Sequence, residues 1–186
     1  MTRLFEIIFC LIIIIILIPF LILISILIKL DSKGPIIFFS KRVGINKNIF
    51  MMPKFRTMKA DTEIVETDKL INAQEKITRF GKFLRKYSLD ELPQLISVVV
   101  GDLALVGPRP ALISQKELIS KREELGINKI KPGITGHAQI NGRDLLSMDE
   151  KIELEIEYMQ KKTFLFDILI VFKSLKVFFK NNEILH

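Results

Sequence analysis

The chain is poor in the residues that build covalent or metal-tied scaffolds. It has one cysteine, Cys10, so no disulfide can close within it and no cysteine-based zinc site can form. Its two histidines, His137 and His186, are too few for a zinc centre. Acidic residues are the minority charge: 21 Asp and Glu stand against 28 Lys and Arg, a formal balance of +7. That surplus suits anionic partners such as lipid headgroups and nucleotides. Nucleic acid is anionic too, but aromatic residues are not interleaved with the basic clusters as a stacking platform requires. There is no Walker A pattern, no dinucleotide fingerprint, no internal repeat and no low-complexity tract. A length of 186 residues suits one compact domain plus a small additional element.

Charge is missing altogether from one stretch. Residues 7–28 are 22 consecutive uncharged, mostly apolar residues, long enough to span a bilayer. A secretory signal does not fit, because the run is too long and no small-residue cleavage site follows it. Two membrane readings stay open: a single spanning helix, or a helix that enters and returns. Pro19 removes a backbone donor and clashes with the carbonyl of Ile15, which favours a kink. The arms on either side are about 18 and 14 Å long at the helical rise. Neither crosses a hydrocarbon core of roughly 30 Å. Arg3 precedes the run, and Lys29, Lys33, Lys41 and Arg42 follow it. A bent helix keeps all of them on the cytoplasmic side.

Beyond the anchor, residues 36–39 and 49–55 read as strands joined through Gly44–Asn48. Residues 60–76 read as a polar surface loop with some helix. Residues 78–86 form a basic amphipathic helix, and 92–100 an apolar one ended by Gly101. A short buried segment, 103–106, leads into the rigid turn Gly107-Pro108-Arg109-Pro110. Helices are expected over 113–125, 149–161 and 164–179. The last is too short to span and is either a core helix or an interfacial one. Between them, 132–136 reads as a loop rich in free backbone amides, a candidate anion nest.

One acidic pair stands apart from this basic background. In YSLDELPQL, residues 87–95, Asp90 and Glu91 lie side by side ahead of Pro93 and an apolar run. Asp90 can serve as a helix N-cap, or Ser88 and Glu91 can form a capping box. Equally, a carboxylate held ionised by a helix N-terminus and Arg85 can act as a nucleophile toward phosphorus or as a magnesium ligand. Arg56, Arg85, Arg109 and Arg143, three of them on turns or strand ends, would suit a diphosphate, because guanidinium forks grip phosphate oxygens.

Four motifs come in one order: KFRTM at 54–58, LRKYSLDELPQL at 84–95, GDLALVGPRPAL at 101–112 and PGITGHAQINGRD at 132–144. Together they resemble the bacterial sugar transferase family, in its small monotopic phosphoglycosyl transferase form without an extra N-terminal membrane domain. The resemblance implies an α+β, mostly helical fold. Residues 1–30 would be a re-entrant membrane helix–break–helix. Residues 31–186 would be a cytoplasmic catalytic domain at the inner-membrane interface, with a small β-hairpin and surrounding amphipathic and interfacial helices.

It also implies transfer of a sugar 1-phosphate from a UDP-sugar to undecaprenyl phosphate, with magnesium (Mg2+), at the start of surface polysaccharide or glycoprotein glycan assembly. The nucleophile falls on Asp90, also the candidate metal ligand, and Glu91 is tied to catalysis. Phosphate or nucleotide contacts fall on Arg85, Arg109 and Arg143, with Lys54, Arg56, Gly133, Gly136 and Gln139 as further substrate contacts. Such an anchored chain can also self-associate. Two positions depart from the pattern: Ile18 replaces the usual serine before the kinking Pro19, and His137 replaces a large apolar residue. The rival reading is a membrane-tethered scaffold in which the acidic pair only caps a helix.

Overall fold

The computed structural model describes residues 1–60, 62, 73–142 and 145–180. Helix α1 runs over Arg3–Asp31 and is, among these residues, the one helix long and apolar enough to cross a membrane. It stays helical through Pro19. The break expected there is therefore not an interruption of the helix.

Both ends of α1 are fastened to the same body. At its start, Arg3 donates to the carbonyls of Val98 and Val99, the latter at 3.1 Å, and Glu6 accepts from the Leu105 N–H at 3.2 Å. At its end, Asp31 accepts from the Phe80 N–H at 2.9 Å, while Arg56 donates to the carbonyl and hydroxyl oxygens of Ser32 at 2.7 and 2.9 Å. Cys10 is buried near one end, and Ile24 and Ile28 near the other. Between them, residues 11–23 contain no buried side chain. Exposed apolar residues such as Leu11, Ile15, Ile16, Ile18 and Phe20 crowd this middle section, the opposite of what water favours.

After Gly34, β1 (Ile37–Val43) and β2 (Ile49–Phe55) form an antiparallel hairpin in register from Ile37↔Phe55 to Val43↔Ile49. The turn at Gly44–Asn48 is as expected, but β1 extends to Val43, beyond the predicted end at Phe39. Alternation along β2 buries Phe50 and Met52 and leaves Ile49 and Met51 exposed. Two apolar clusters result. One joins Phe50 and Met52 to Cys10, Val98, Leu103 and Tyr158; the other joins Phe55 and Leu84 to Ile24 and Ile28. Each cluster seats one end of α1.

A short α2 (Ala73–Lys76) precedes α3 (Arg79–Lys86), whose N-cap Thr78 accepts from the Gly81 N–H at 3.0 Å. Helix α4 (Gln94–Val100) ends at Gly101, whose φ of 109° is the left-handed conformation glycine tolerates best. Then β3 (Ala104–Val106) pairs in parallel with β4 (Gly133–Thr135), across an excursion that includes α5 (Lys116–Glu124). The segment expected to be an open amide-rich loop is thus partly a strand. Helices α6 (His137–Ile140), α7 (Met148–Lys161) and α8 (Phe164–Lys180) complete the described chain. A capping box between Ser147 and Glu150 starts α7. Helix α8 buries Asp167 and Ile170 and exposes Leu165, Leu169, Phe172 and Leu175. Its Phe164 ring meets Phe5 of α1 edge-on at 5.6 Å, so the exposed apolar surfaces of the two helices adjoin.

Candidate active site

The acidic pair lies where α3 hands over to α4. Ser88 adopts a left-handed backbone (φ 46°, ψ 24°), and a 3-10 turn over Leu89–Glu91 follows. Neither capping arrangement forms. Pro93 occupies the N-cap position of α4 without a side-chain cap, and Ser88 makes no capping bond. Glu91 Oε1 instead accepts from Lys54 Nζ at 2.8 Å and from Arg109 Nη2 at 3.2 Å.

Asp90 is only 8% exposed. Its Oδ2 stands 3.7 Å from Lys54 Nζ, and among the described residues its carboxylate accepts no hydrogen bond. Burial pushes the Asp90 carboxyl above the usual carboxylate range. Lys54 opposes that most strongly, Glu91 adds to it, and Arg85 and Arg109 pull it back. Arg85 thus acts on Asp90 in the expected direction, but Lys54 is the main counter-charge and burial is the larger influence.

Strand β2 supplies Lys54, and the turn after β3 supplies Arg109. That turn is held by glycines. A Cβ on Gly133 would fall 2.1 Å from the Gly107 nitrogen, and one on Gly136 2.1 Å from the Gly107 oxygen. The Gly133 N–H donates to Pro108 O at 2.9 Å. Gly133 and Gly136 therefore press two backbones together and fix the Arg109 turn. The Gly133 amide is thereby used within the fold and is not available to an anion nest.

The remaining expected residues divide. Arg85 belongs to the neighbourhood of Asp90 through its charge, and its Nε donates to Thr57 Oγ1 at 2.9 Å. Its Nη1 is buried without a partner among the described residues. Arg56 does not join the cluster by any hydrogen bond: it caps the C-terminal end of α1 through Ser32. Gln139 lies beside Gly136, with both side-chain polar atoms buried and without a partner among the described residues. Arg143 lies outside the described residues. His137 is held by Glu157 at 3.0 Å and packs on the Phe166 ring, a structural setting.

Sequence reasoning missed Thr57, which sits inside the quoted KFRTM motif, and Gln94. The signal for Gln94 was its spacing of four from Asp90, one helical turn. As for metal, no group of three or more His, Cys, Asp or Glu side chains converges among the described residues. Magnesium needs only one or two carboxylates when substrate phosphates complete its shell. Asp90, a carboxylate without hydrogen bonds at the cluster's centre, fits that more modest requirement.

Comparison with known proteins agrees with this geometry. The family model for bacterial sugar transferases matches residues 1–181. The UDP-glucose:undecaprenyl-phosphate glucose-1-phosphate transferase of Escherichia coli (strain K12) is 39% identical over 165 residues, covering 83% of this chain and 35% of that protein. The UDP-N-acetylgalactosamine-undecaprenyl-phosphate N-acetylgalactosaminephosphotransferase of Aeromonas hydrophila is 33% identical, covering 85% of this chain and 38% of its own length. The exopolysaccharide production protein ExoY of Sinorhizobium fredii is 32% identical, covering 93% and 83%. Against the long relatives, the chain spans about a third of their length. With the family model matched almost end to end and the acidic pair freed from any capping duty, the chain belongs to the bacterial sugar transferase family.

Proposed function

We propose that this chain is a phosphoglycosyl transferase that moves a sugar 1-phosphate from a UDP-sugar to undecaprenyl phosphate by way of Asp90. One observation carries the reading. Asp90 is buried, caps nothing, accepts no hydrogen bond among the described residues and faces Lys54, with Arg85 and Arg109 nearby. A structural carboxylate is normally hydrogen-bonded; one left open beside cations is suited to meeting phosphorus.

In the first displacement an Asp90 Oδ forms a bond to the β-phosphorus. The bond from that phosphorus to the bridging oxygen breaks, and UMP leaves with the electron pair. In the second, an oxygen of the lipid phosphate bonds to the same phosphorus, and the Asp90 carboxylate is released. Lys54 and Arg109 hold Glu91 in place and add positive charge for diphosphate oxygens. Magnesium held by Asp90 and the diphosphate would supply charge neutralisation for the departing UMP.

The anchor reading is re-entrant. Both ends of α1 are fastened to one body while its apolar middle is exposed, which supports a bend that keeps both ends on the cytoplasmic face of the inner membrane. Tags at either end should then be shielded from protease in spheroplasts; cleavage of the N-terminal tag alone would show a spanning helix instead. The lack of a cap at the pair counts against the scaffold alternative. Activity is tested with full-length protein, undecaprenyl phosphate, Mg2+ and a panel of UDP-glucose, UDP-galactose, UDP-N-acetylgalactosamine and N-acetylated 6-deoxy UDP-sugars. UMP should appear with at least one donor and not with Asp90→Asn. No UMP from the whole panel would contradict the assignment.

A further inference from the structure

Gln94 is 3% exposed, and its Nε2 is buried with no hydrogen-bond partner among the described residues. Buried side-chain donors without partners are rare, because each forfeits its hydration with nothing in return. The backbone gives this one a direction. From the 3-10 turn at Leu89–Glu91 through Leu92 (φ −54°, ψ −37°) and Pro93 (φ −61°, ψ −19°) into α4, the chain is helical throughout. Asp90 and Gln94 therefore stand one turn apart on the same face, the spacing at which side chains meet. The spacing therefore sets the amide that lacks a partner beside the carboxylate that, among the described residues, accepts no hydrogen bond. In the structure that carboxylate has Lys54 as its nearest cation. Arg85, whose charge also acts on Asp90, likewise keeps a buried Nη1 unpaired. The donors around Asp90 thus exceed those in use.

We propose that Gln94 is a positioning residue for Asp90, whose side-chain amide donates to the carboxyl oxygen that does not carry phosphorus. The proposal rests on the covalent reading above. Once one Asp90 oxygen is esterified, its negative charge resides on the phosphoryl group, and Lys54 is drawn outward with it. The other oxygen is then free to turn toward the Gln94 amide. In the second displacement the P–Oδ bond breaks and its electron pair returns to the carboxylate. A donor already in place stabilises that returning charge, so Gln94 acts chiefly on the second step.

The test uses full-length Gln94→Met, which keeps length and volume but removes the donor, with Gln94→Leu as a second variant. Thermal midpoint, the first-turnover UMP burst and the decay of the phospho-sugar adduct on adding undecaprenyl phosphate are measured on both and on wild type. The midpoint should be equal or higher, since an unpaired buried amide is replaced by an apolar group. The burst rate should stay within about threefold, while adduct decay slows by about tenfold or more, the kinetic equivalent of one charge-assisted hydrogen bond. A merely structural glutamine would lower the midpoint and leave both rates alone, which would overturn the proposal. So would equal slowing of both steps. If wild type itself forms no adduct with any donor, it is the covalent reading that fails.

Discussion

Two buried acidic sites in this molecule are built on opposite principles. Glu155 of α7, 3% exposed, is met by Arg122 of α5, with Arg122 Nε 2.8 Å from Oε2 and Nη2 bonded to Oε1. Both carboxylate oxygens are used and the planar fork is matched, as a structural ion pair should be. Asp90 is nearly as deep, yet it accepts no hydrogen bond among the described residues and has its nearest cation at 3.7 Å. Burial alone does not distinguish the two. What separates them is whether the local structure has used up the carboxylate, and at Asp90 it has not.

The largest effect should come from breaking the open site. Asp90→Asn removes a carboxylate that burial already disfavours. Turnover should fall by about a thousandfold or more, as for the loss of a nucleophile, while the thermal midpoint at neutral pH stays level or rises. The closed site should behave in the reverse way. Arg122→Met leaves Glu155 buried and uncompensated, at a cost of about 3–5 kcal/mol. A chemical denaturation series should register that loss, while the activity per folded molecule remains that of wild type.

A smaller change sharpens the contrast through pH. The Asp90 carboxyl already titrates above the ordinary range, and Lys54 is its chief counter-charge. The nucleophile must be ionised, so kcat/KM should fall as pH drops through this raised value. Lys54→Met raises it further, which moves the acidic limb to higher pH. The same variant should lower kcat about ten- to a hundredfold by removing charge near the reacting phosphate. An unmoved acidic limb would show that Lys54 does not set the ionisation of Asp90.

Much of this arrangement was legible in the residues because local rules produced it. The β2 strand, the Gly101 stop of α4, the Thr78 start of α3 and the apolar anchor follow from alternation, backbone freedom and capping. The β3–β4 pairing was not, since its strands are three residues each and separated by a long excursion. Glycine serves close approach of any kind, so the sequence leaves Gly133 and Gly136 as candidate phosphate-binding amides; the tertiary structure shows that both press on the Gly107 backbone. Arg56 is a related case: a guanidinium fits phosphate oxygens, and here its Nη2 meets the oxygens of Ser32 at a helix end, while among the described residues its Nε and Nη1 have no partner. Lys54, Glu91 and Arg109 stand in separate motifs of the sequence, and the meeting of Lys54 and Arg109 on the Glu91 carboxylate comes only with the fold.

The central claim is that Asp90 carries the transferred phospho-sugar. Wild-type protein incubated with its UDP-sugar and no lipid acceptor, then digested and weighed, tests it directly. The account predicts up to about one UMP per active molecule, with the phospho-sugar mass on the peptide containing Asp90 and removed by undecaprenyl phosphate. Continued turnover to lipid-linked product by Asp90→Asn, or a wild-type enzyme that transfers without ever gaining that mass, would contradict it.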